Sequence, residues 1–182
     1  MKKNRIVLIS PEKIKIKKVK VIKRTIFYDP RGFLVETFDS AKEKSKSIYS
    51  YNSVTRPGQA RDKDQYHFHK HQKDRFTIVR GTMWILLLDM RKNSSTYGRL
   101  EVVEAKGADL KIKVKKTVPV YTITIPEGVY HGIMAPGPGE AELVNHPTKE
   151  YNPQDEGRIS FKEIKVKSLN NAIFSWDLVK KK

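Results

Sequence analysis

The chain has 182 residues, 38% of them hydrophobic, and its 37 basic and 20 acidic residues give a formal net charge of +17. This length fits one domain better than two, so a single domain is expected over residues 1–182. No run of about 18 apolar residues occurs, which excludes a membrane-spanning helix. The chain also lacks cysteine, which excludes disulfides and thiolate metal sites. We expect a cytoplasmic protein with no membrane partner.

The positive charge is spread along the chain. Lysines alternate with aliphatic residues over 13–23 and again over 111–116, as in strands that have one solvated and one buried face. Neither an aromatic RNA-binding strand motif nor zinc-finger spacing occurs. We therefore expect no nucleic-acid partner, and we assign the lysines to solubility and to the attraction of an anionic substrate.

Short alternating or apolar segments, separated by Gly, Pro, Asn and Asp, make up most of the chain. They predict strands near 14–23, 33–38, 47–55, 65–69, 75–89, 99–105, 109–115, 120–125, 129–134, 140–145 and 158–166. Turn-forming sequences lie between these segments, as at 29–32 and 136–139. The best helical candidate, 40–46, has no apolar stripe. The pattern predicts an all-β sandwich or barrel.

The strongest core strand is predicted at 77–89, where Gly81 interrupts a mostly apolar run. A glycine there predicts a tight turn between two strands or a bend at a barrel corner. Leu86, Leu87 and Leu88 are consecutive, and successive strand residues face opposite sides. We therefore expect both faces of this strand to be covered, as a jelly-roll barrel, alone or paired in a dimer, provides.

Four of the five histidines lie in two short stretches, with His67, His69 and His71 in the first and His131 in the second. Residues two apart in a strand face the same side, so the first three histidines are expected to project together into a barrel interior. Because clusters of ionisable side chains mark functional sites, we predict a pocket there.

These stretches resemble the motifs of the cupin superfamily. His67 and His69, with Asp74 and Gly81 behind them, have the spacing of the first cupin motif, with Asp where Glu is usual. The segment 126–131, Pro-x-Gly-x-x-His, is similar to the second motif. The resemblance implies a cupin-type jelly-roll β-barrel or sandwich, and the strand pattern agrees with it.

Within the cupins, the sequence resembles the dTDP-4-dehydrorhamnose 3,5-epimerase family over roughly residues 25–165. The similar segments are 29–36 (DPRGFLVE), 52–53 (NS), 58–61 (GQAR), 67–68 (HF), 79–81 (VRG), 89–91 (DMR), 94–98 (SSTYG), 125–132 (IPEGVYHG) and 151–159 (YNPQDEGRI). The resemblance implies an isomerase that abstracts a proton next to the keto group of a dTDP-4-keto sugar, in the biosynthesis of nucleotide sugars and cell-surface polysaccharides.

The resemblance also implies roles for individual residues. His67 matches the family's catalytic base, and a neutral histidine is able to remove a proton made acidic by a keto group. His131 matches a recurrent pocket histidine, which we count among the catalytic candidates. Arg31 and Arg61 match arginines that hold the diphosphate or nucleotide, a task suited to the planar guanidinium. The other substrate-binding candidates are Glu36, Asn52 and His69.

Three positions depart from the family's pattern. The family's lysine, which steadies the enolate, aligns near Asp74, and Lys73 or Lys70 is the candidate to replace it. The family's catalytic tyrosine aligns near Asn145, which is not an acid of comparable strength, and His146 is an alternative acid. The C-terminal residues 174–177 show no clear match to the segment that supplies the aspartate partner of the base. We therefore expect a single epimerisation, a 3,4-ketoisomerisation or another proton shift rather than full 3,5-epimerisation.

Two other functions stay open at this point. His67, His69, Asp74 and His131 together suit a divalent transition metal in a dioxygenase or isomerase, whereas the epimerase resemblance implies a site with neither metal nor cofactor. A chain without the family's tyrosine and lysine is also consistent with a non-catalytic nucleotide-sugar-binding protein. The resemblance further implies a homodimer in which N-terminal strands join the partner's sheet.

Overall fold

The computed structural model describes residues 5–112 and 115–180. Within these residues the strands are β1 Ile6–Val7, β2 Lys20–Asp29, β3 Gly32–Val35, β4 Tyr51–Thr55, β5 Gln65–His69, β6 Asp74–Arg80, β7 Thr82–Asp89, β8 Leu100–Lys106, β9 Lys116–Ile125, β10 Val129–Met134, β11 Ala141–Asn145, β12 Glu156–Ser160, β13 Lys165–Val166, β14 Ala172–Ile173 and β15 Val179–Lys180. The helix α1 spans Ser40–Glu43, and short 3₁₀ helices span Pro11–Lys13, Phe161–Glu163, Lys167–Leu169 and Trp176–Leu178.

Two antiparallel sheets form the body of the protein. One has the strand order β12-β5-β10-β7-β8, and the other has the order β3-β2-β9-β6-β11-β4. The core between them contains Met83 and Leu87 from the five-stranded sheet and Ile78, Ile123 and Leu143 from the six-stranded sheet. The predicted all-β jelly-roll architecture is confirmed.

The outer face of the five-stranded sheet is covered by the C-terminal part of the chain. Leu86 and Leu88 are fully buried there against Phe161 and Phe174, while Leu87 lies on the inner face. Both faces of β7 are therefore covered, as the three consecutive leucines predict. Part of the cover is supplied by this chain's own segment from 161 to 179.

The bend predicted at Gly81 is a barrel corner. β6 ends at Arg80 in the six-stranded sheet, and β7 begins at Thr82 in the five-stranded sheet. Gly81 adopts a φ of +75°, and a Cβ at this position would lie 2.2 Å from the carbonyl oxygen of Glu140. Only glycine combines this backbone conformation with so close an approach.

Two strand predictions were wrong because side chains take the backbone hydrogen bonds. The strand expected at 14–23 begins only at Lys20, since the Glu101 carboxylate accepts from the backbone N–H groups of Lys15 and Ile16. The strand expected at 109–115 is a turn as far as residue 112, in which Asp109 accepts from Lys111 N. Residues 113 and 114 lie outside the described residues.

The last predicted strand and the predicted helix are shorter than expected. β12 ends at Ser160, whose side chain forms a capping box with Glu163 and starts a 3₁₀ helix. The helix expected at 40–46 ends at Glu43, because Lys44 adopts a left-handed conformation with a φ of 48°. None of the helices in residues 5–112 and 115–180 is long and apolar enough to cross a membrane.

We predict that Gly81→Ala lowers the free energy of unfolding by roughly 2–5 kcal/mol, since it adds an overpacking cost to the cost of a positive φ. The matched control is Gly58→Ala, where φ is +71° but no atom lies within 4 Å of the added Cβ. This control is expected to lose only about 1–2 kcal/mol. Urea denaturation of both variants measures the difference, and equal losses would contradict the steric argument.

Candidate functional site

A cavity of about 410 Å³ lies between the two sheets. The five-stranded sheet supplies its histidines, His67 and His69 from β5 and His131 from β10. The six-stranded sheet supplies Tyr51 from β4 and Asp74 from β6. A cavity of this size is in the range that holds a small-molecule ligand.

Strand geometry brings the three histidines together. His67 and His69 are two apart on β5 and so share a face, and β10 pairs with β5 so that His131 lies opposite His67. The ring centroids are 4.7 Å apart for His67 and His69 and 5.1 Å apart for His67 and His131. His71 does not join them, because β5 ends at His69 and the His71 side chain is exposed.

The Asp74 carboxylate lies at the centre of the polar groups and is only 2% exposed. Its Oδ1 accepts hydrogen bonds from the amides of Gln72 at 3.0 Å and Asn145 at 2.8 Å. Its Oδ2 lies 3.4 Å from Nε2 of His69 and 3.3 Å from Nε2 of His131. Burial opposes ionisation of Asp74, but the contacts with His131 and His69 outweigh it and hold its pKa well below the usual range.

The neighbouring histidines have opposite pKa shifts. Burial, together with the charges of His131 and His69, lowers the pKa of His67 to about 4, so its imidazole is neutral near pH 7. Burial also disfavours charge on His69, but Asp74 outweighs this effect and raises the pKa of His69. Pairs of titratable groups with pKa values shifted in opposite directions are typical of acid–base sites.

A second carboxylate lies next to His67. Oε2 of Glu156, on β12, is 2.8 Å from Nε2 of His67, and its side chain is 8% exposed. The same oxygen is 3.2 Å from Nη2 of Arg158, which also lines the cavity. Sequence reasoning assigned no role to either residue, although both lie in the family-like segment 151–159 and are two apart, so they share one face of a strand.

Two further predicted residues, Arg61 and Asn145, lie at the cavity, and their contacts differ. Arg61 is exposed and lines the cavity, where its Nη2 donates to the Val54 carbonyl oxygen at 2.8 Å. Asn145 is fully buried next to the cavity, and its amide bonds Asp74 and the hydroxyl of Tyr51. The position predicted to be catalytic therefore holds other side chains of the site in place.

Four other candidates lie away from this cavity. Lys73 is 3.7 Å from Glu127 and borders a different depression. The Arg31 side chain is 90% exposed and pairs with Asp29, and Glu36 pairs with Lys42. Asn52 donates to Glu142. Asn52 turns away because Tyr51 and Ser53, its neighbours on β4, face the cavity. The alternative acid, His146, is also elsewhere, bonded to Thr37.

The histidine cluster also contains donors that suit a metal ion. His67, His69 and His131 each offer a nitrogen, and these atoms lie within 4.8 Å of one another. Three imidazoles with a nearby carboxylate suit a divalent transition metal. In the described geometry, however, two of the imidazoles direct Nε2 towards Asp74, so a metal would have to replace these contacts.

Comparisons with known proteins point to one family. The family model described as dTDP-4-dehydrorhamnose 3,5-epimerase matches residues 13–176, a longer stretch than the motifs in the sequence indicate. The chain is 31% identical to a Haloferax volcanii protein named Probable low-salt glycan biosynthesis epimerase Agl13, over 73% of this chain and 80% of that protein. It is 28% identical to the Bacillus subtilis spore coat polysaccharide biosynthesis protein SpsL, over 78% of this chain and 87% of that protein.

A solved structure of similar fold is a dTDP sugar isomerase from Desulfovibrio desulfuricans. It superposes with a TM-score of 0.71 and 18% sequence identity, over 89% of this chain and 92% of that chain. At this identity the likeness supports the jelly-roll fold alone.

We predict that Asp74→Asn lowers the free energy of unfolding by roughly 2–4 kcal/mol at pH 7, since it leaves buried donors without a charged acceptor. Asn offers one acceptor oxygen where the carboxylate offers two. Its NH₂ group would therefore lie against side chains that also donate hydrogen bonds. Asp29→Asn, at a half-exposed ion pair, is the control and is expected to leave stability unchanged. An Asp74→Asn protein as stable as the control would contradict this account.

Proposed function

Because the chain belongs to the dTDP-4-dehydrorhamnose 3,5-epimerase family, we propose that it abstracts a proton next to the C4 keto group of a dTDP-4-keto sugar in polysaccharide biosynthesis. The observation that carries the proposal is a neutral His67 in a cavity between the sheets, with the Glu156 carboxylate at 2.8 Å. The product is an epimer or keto isomer of the substrate.

His67 serves as the general base. A C4 keto group acidifies the neighbouring C–H bonds, and a histidine with a pKa near 4 is unprotonated at neutral pH and ready to accept the proton. The adjacent Glu156 stabilises the imidazolium that forms, as a carboxylate does for a histidine base. Glu156 is a positioning residue, because its contact is with His67.

The developing enolate needs a cation or a hydrogen-bond donor. Lys73 is not placed to supply it, since its ammonium group lies near Glu127. Arg158 is the cation that lines the cavity next to Glu156, and we propose that its guanidinium stabilises the enolate oxygen. Arg61, at the exposed part of the lining, is assigned to the diphosphate.

Three predicted substrate-binding residues do not line this chain's own cavity, namely Arg31, Glu36 and Asn52. Their contribution would require the predicted homodimer, in which the N-terminal strands reach the partner. The homodimer and the cytoplasmic location are part of the proposal.

A metal-dependent reaction is the second candidate, and the grouping of His67, His69 and His131 favours it. Asp74 would complete the ligand set, and the metal would supply Lewis-acid chemistry. Family membership is our reason to prefer a site without metal or cofactor. A non-catalytic sugar-nucleotide-binding protein is the third candidate, and it predicts no exchange of substrate protons with solvent.

We predict that His67→Ala lowers turnover of dTDP-4-keto-6-deoxyglucose by about 10²–10⁴-fold, the usual contribution of a general base. Affinity for dTDP is expected to stay unchanged, because the base acts in the proton-transfer step. Arg61→Ala is expected to raise KM and weaken dTDP binding with little change in kcat. Deuterium uptake followed by NMR measures turnover, and calorimetry measures binding.

Arg56→Ala is the control for Arg61→Ala, since Arg56 is an exposed arginine just after β4 that does not line the cavity. It is expected to behave as the wild type. Equal weakening of binding by His67→Ala and Arg61→Ala, with turnover intact, would show that the two roles are wrongly assigned.

We predict that protein purified without an affinity tag and treated with a chelator keeps its turnover. Elemental analysis of the same sample is expected to find less than stoichiometric transition metal. Stoichiometric metal that disappears in His69→Ala, together with turnover that returns only on adding the metal, would favour the second candidate instead.

A further inference from the structure

Tyr51 and His67 approach the cavity from opposite walls. Tyr51 lies on β4 at the edge of the six-stranded sheet, and His67 lies on β5 in the five-stranded sheet. Both line the same cavity. An epimerisation that removes a proton from one face of a carbon must return a proton to the other face, so it needs groups on two sides of the substrate.

The hydrogen bonds around Asn145 determine which way the hydroxyl of Tyr51 points. Oδ1 of Asn145 accepts from the backbone N–H of Arg75 at 2.8 Å. Nδ2 donates to Oδ1 of Asp74 at 2.8 Å and to the hydroxyl oxygen of Tyr51 at 3.1 Å. The reversed amide would set its NH₂ against an N–H and its oxygen against a carboxylate, so the amide orientation is fixed.

A phenol that accepts from Asn145 keeps its own proton available for donation. Within residues 5–112 and 115–180 no group accepts that proton, and Tyr51 lines the cavity. Burial, with the negative charge of Asp74, raises the pKa of Tyr51 to about 12. The phenol therefore stays protonated throughout the neutral range, as a proton donor must.

We propose that Tyr51 is the catalytic acid that protonates the enolate on the face opposite His67. The inference rests on the proposed function and supplies a proton donor, since Asn145 stands near the position of the family's tyrosine. Two further tyrosines, Tyr49 and Tyr151, line the cavity. Tyr151 is 65% exposed and lies next to Glu156, which is on the same sheet as the base, and the hydroxyl of Tyr49 has no bond to the Asn145 amide. His146, the alternative acid in the sequence, bonds Thr37 away from the cavity.

The proton balance closes without a co-reactant. His67 takes the proton from the carbon next to the keto group, and the C–H electron pair becomes the enolate. The Tyr51 hydroxyl then gives its proton to that carbon from the other side, and the carbonyl re-forms. The phenolate takes a proton from water, and the His67 imidazolium returns its proton to water.

The test is Tyr51→Phe, which keeps the ring and removes the hydroxyl. With dTDP-4-keto-6-deoxyglucose in deuterated water, inversion at the exchanging carbon is expected to fall by about 10²–10⁴-fold. Exchange of the same C–H for deuterium with retention is expected to continue, because His67 is able to return a deuteron to its own face. Melting temperature and dTDP affinity are expected to match the wild type.

Tyr49→Phe is the matched control, since its ring centroid lies 5.8 Å from that of Tyr51 and its hydroxyl has no assigned role. It is expected to invert the substrate at the wild-type rate. Wild-type inversion by Tyr51→Phe would overturn the proposal. Loss of exchange together with inversion would also overturn it, because the hydroxyl would then be needed for deprotonation.

The wild-type protein separates failure of this inference from failure of the proposed function. A wild type that neither exchanges nor inverts the substrate would overturn the proposed function and, with it, the role of Tyr51. A wild type that exchanges without inversion would overturn the role of Tyr51 alone, since proton abstraction by His67 would stand.

Discussion

The site depends on one buried carboxylate. Asp74 is removed from water and would be costly in isolation, but four side chains from several strands and a loop surround it. Because Asp74 is on β6 and His131 is on β10, their contact joins the two sheets at the cavity. The contacts of Asp74 with the two imidazoles and its amide hydrogen bonds therefore fix His69, His131 and the Asn145 amide together.

This arrangement shifts the pKa values of His67 and His69 in opposite directions. Asp74 outweighs burial and raises the pKa of His69, whereas burial, together with the charges of His131 and His69, lowers the pKa of His67. With its pKa lowered to about 4, the imidazole of His67 is neutral near pH 7. Burial, together with the charge of Asp74 on the same sheet, raises the pKa of Tyr51 to about 12, so the imidazole of His67 and the phenol of Tyr51 are both neutral near pH 7.

The sequence predicts most of the architecture and part of the site. Alternation and turn residues locate β5 and β10, and alternation within β5 predicts the shared face of His67 and His69. Sequence patterns do not predict the positions of Tyr51, Glu156 and Arg158, because these side chains reach the cavity through pairing between strands far apart in the chain. The prediction for Lys73 relied on alignment, whereas in the structure its side chain turns towards Glu127. The strand at 14–23 starts late because Glu101, distant in sequence, binds the backbone of 15–16.

Strand register explains how two different sequence positions in this fold are able to bring a hydroxyl to the same wall of the cavity. Residues directly opposite each other in an antiparallel pair have their side chains on the same face, about 5 Å apart at Cβ. Asn145 on β11 and Tyr51 on β4 are such a pair. A tyrosine at either position therefore brings a hydroxyl to the same wall of the cavity. With asparagine at 145, the amide takes a new part: it accepts from Arg75, donates to Asp74, and holds the phenol of its cross-strand partner with the proton free. On this reading, the residue that departs from the family's pattern positions the acid on the neighbouring strand.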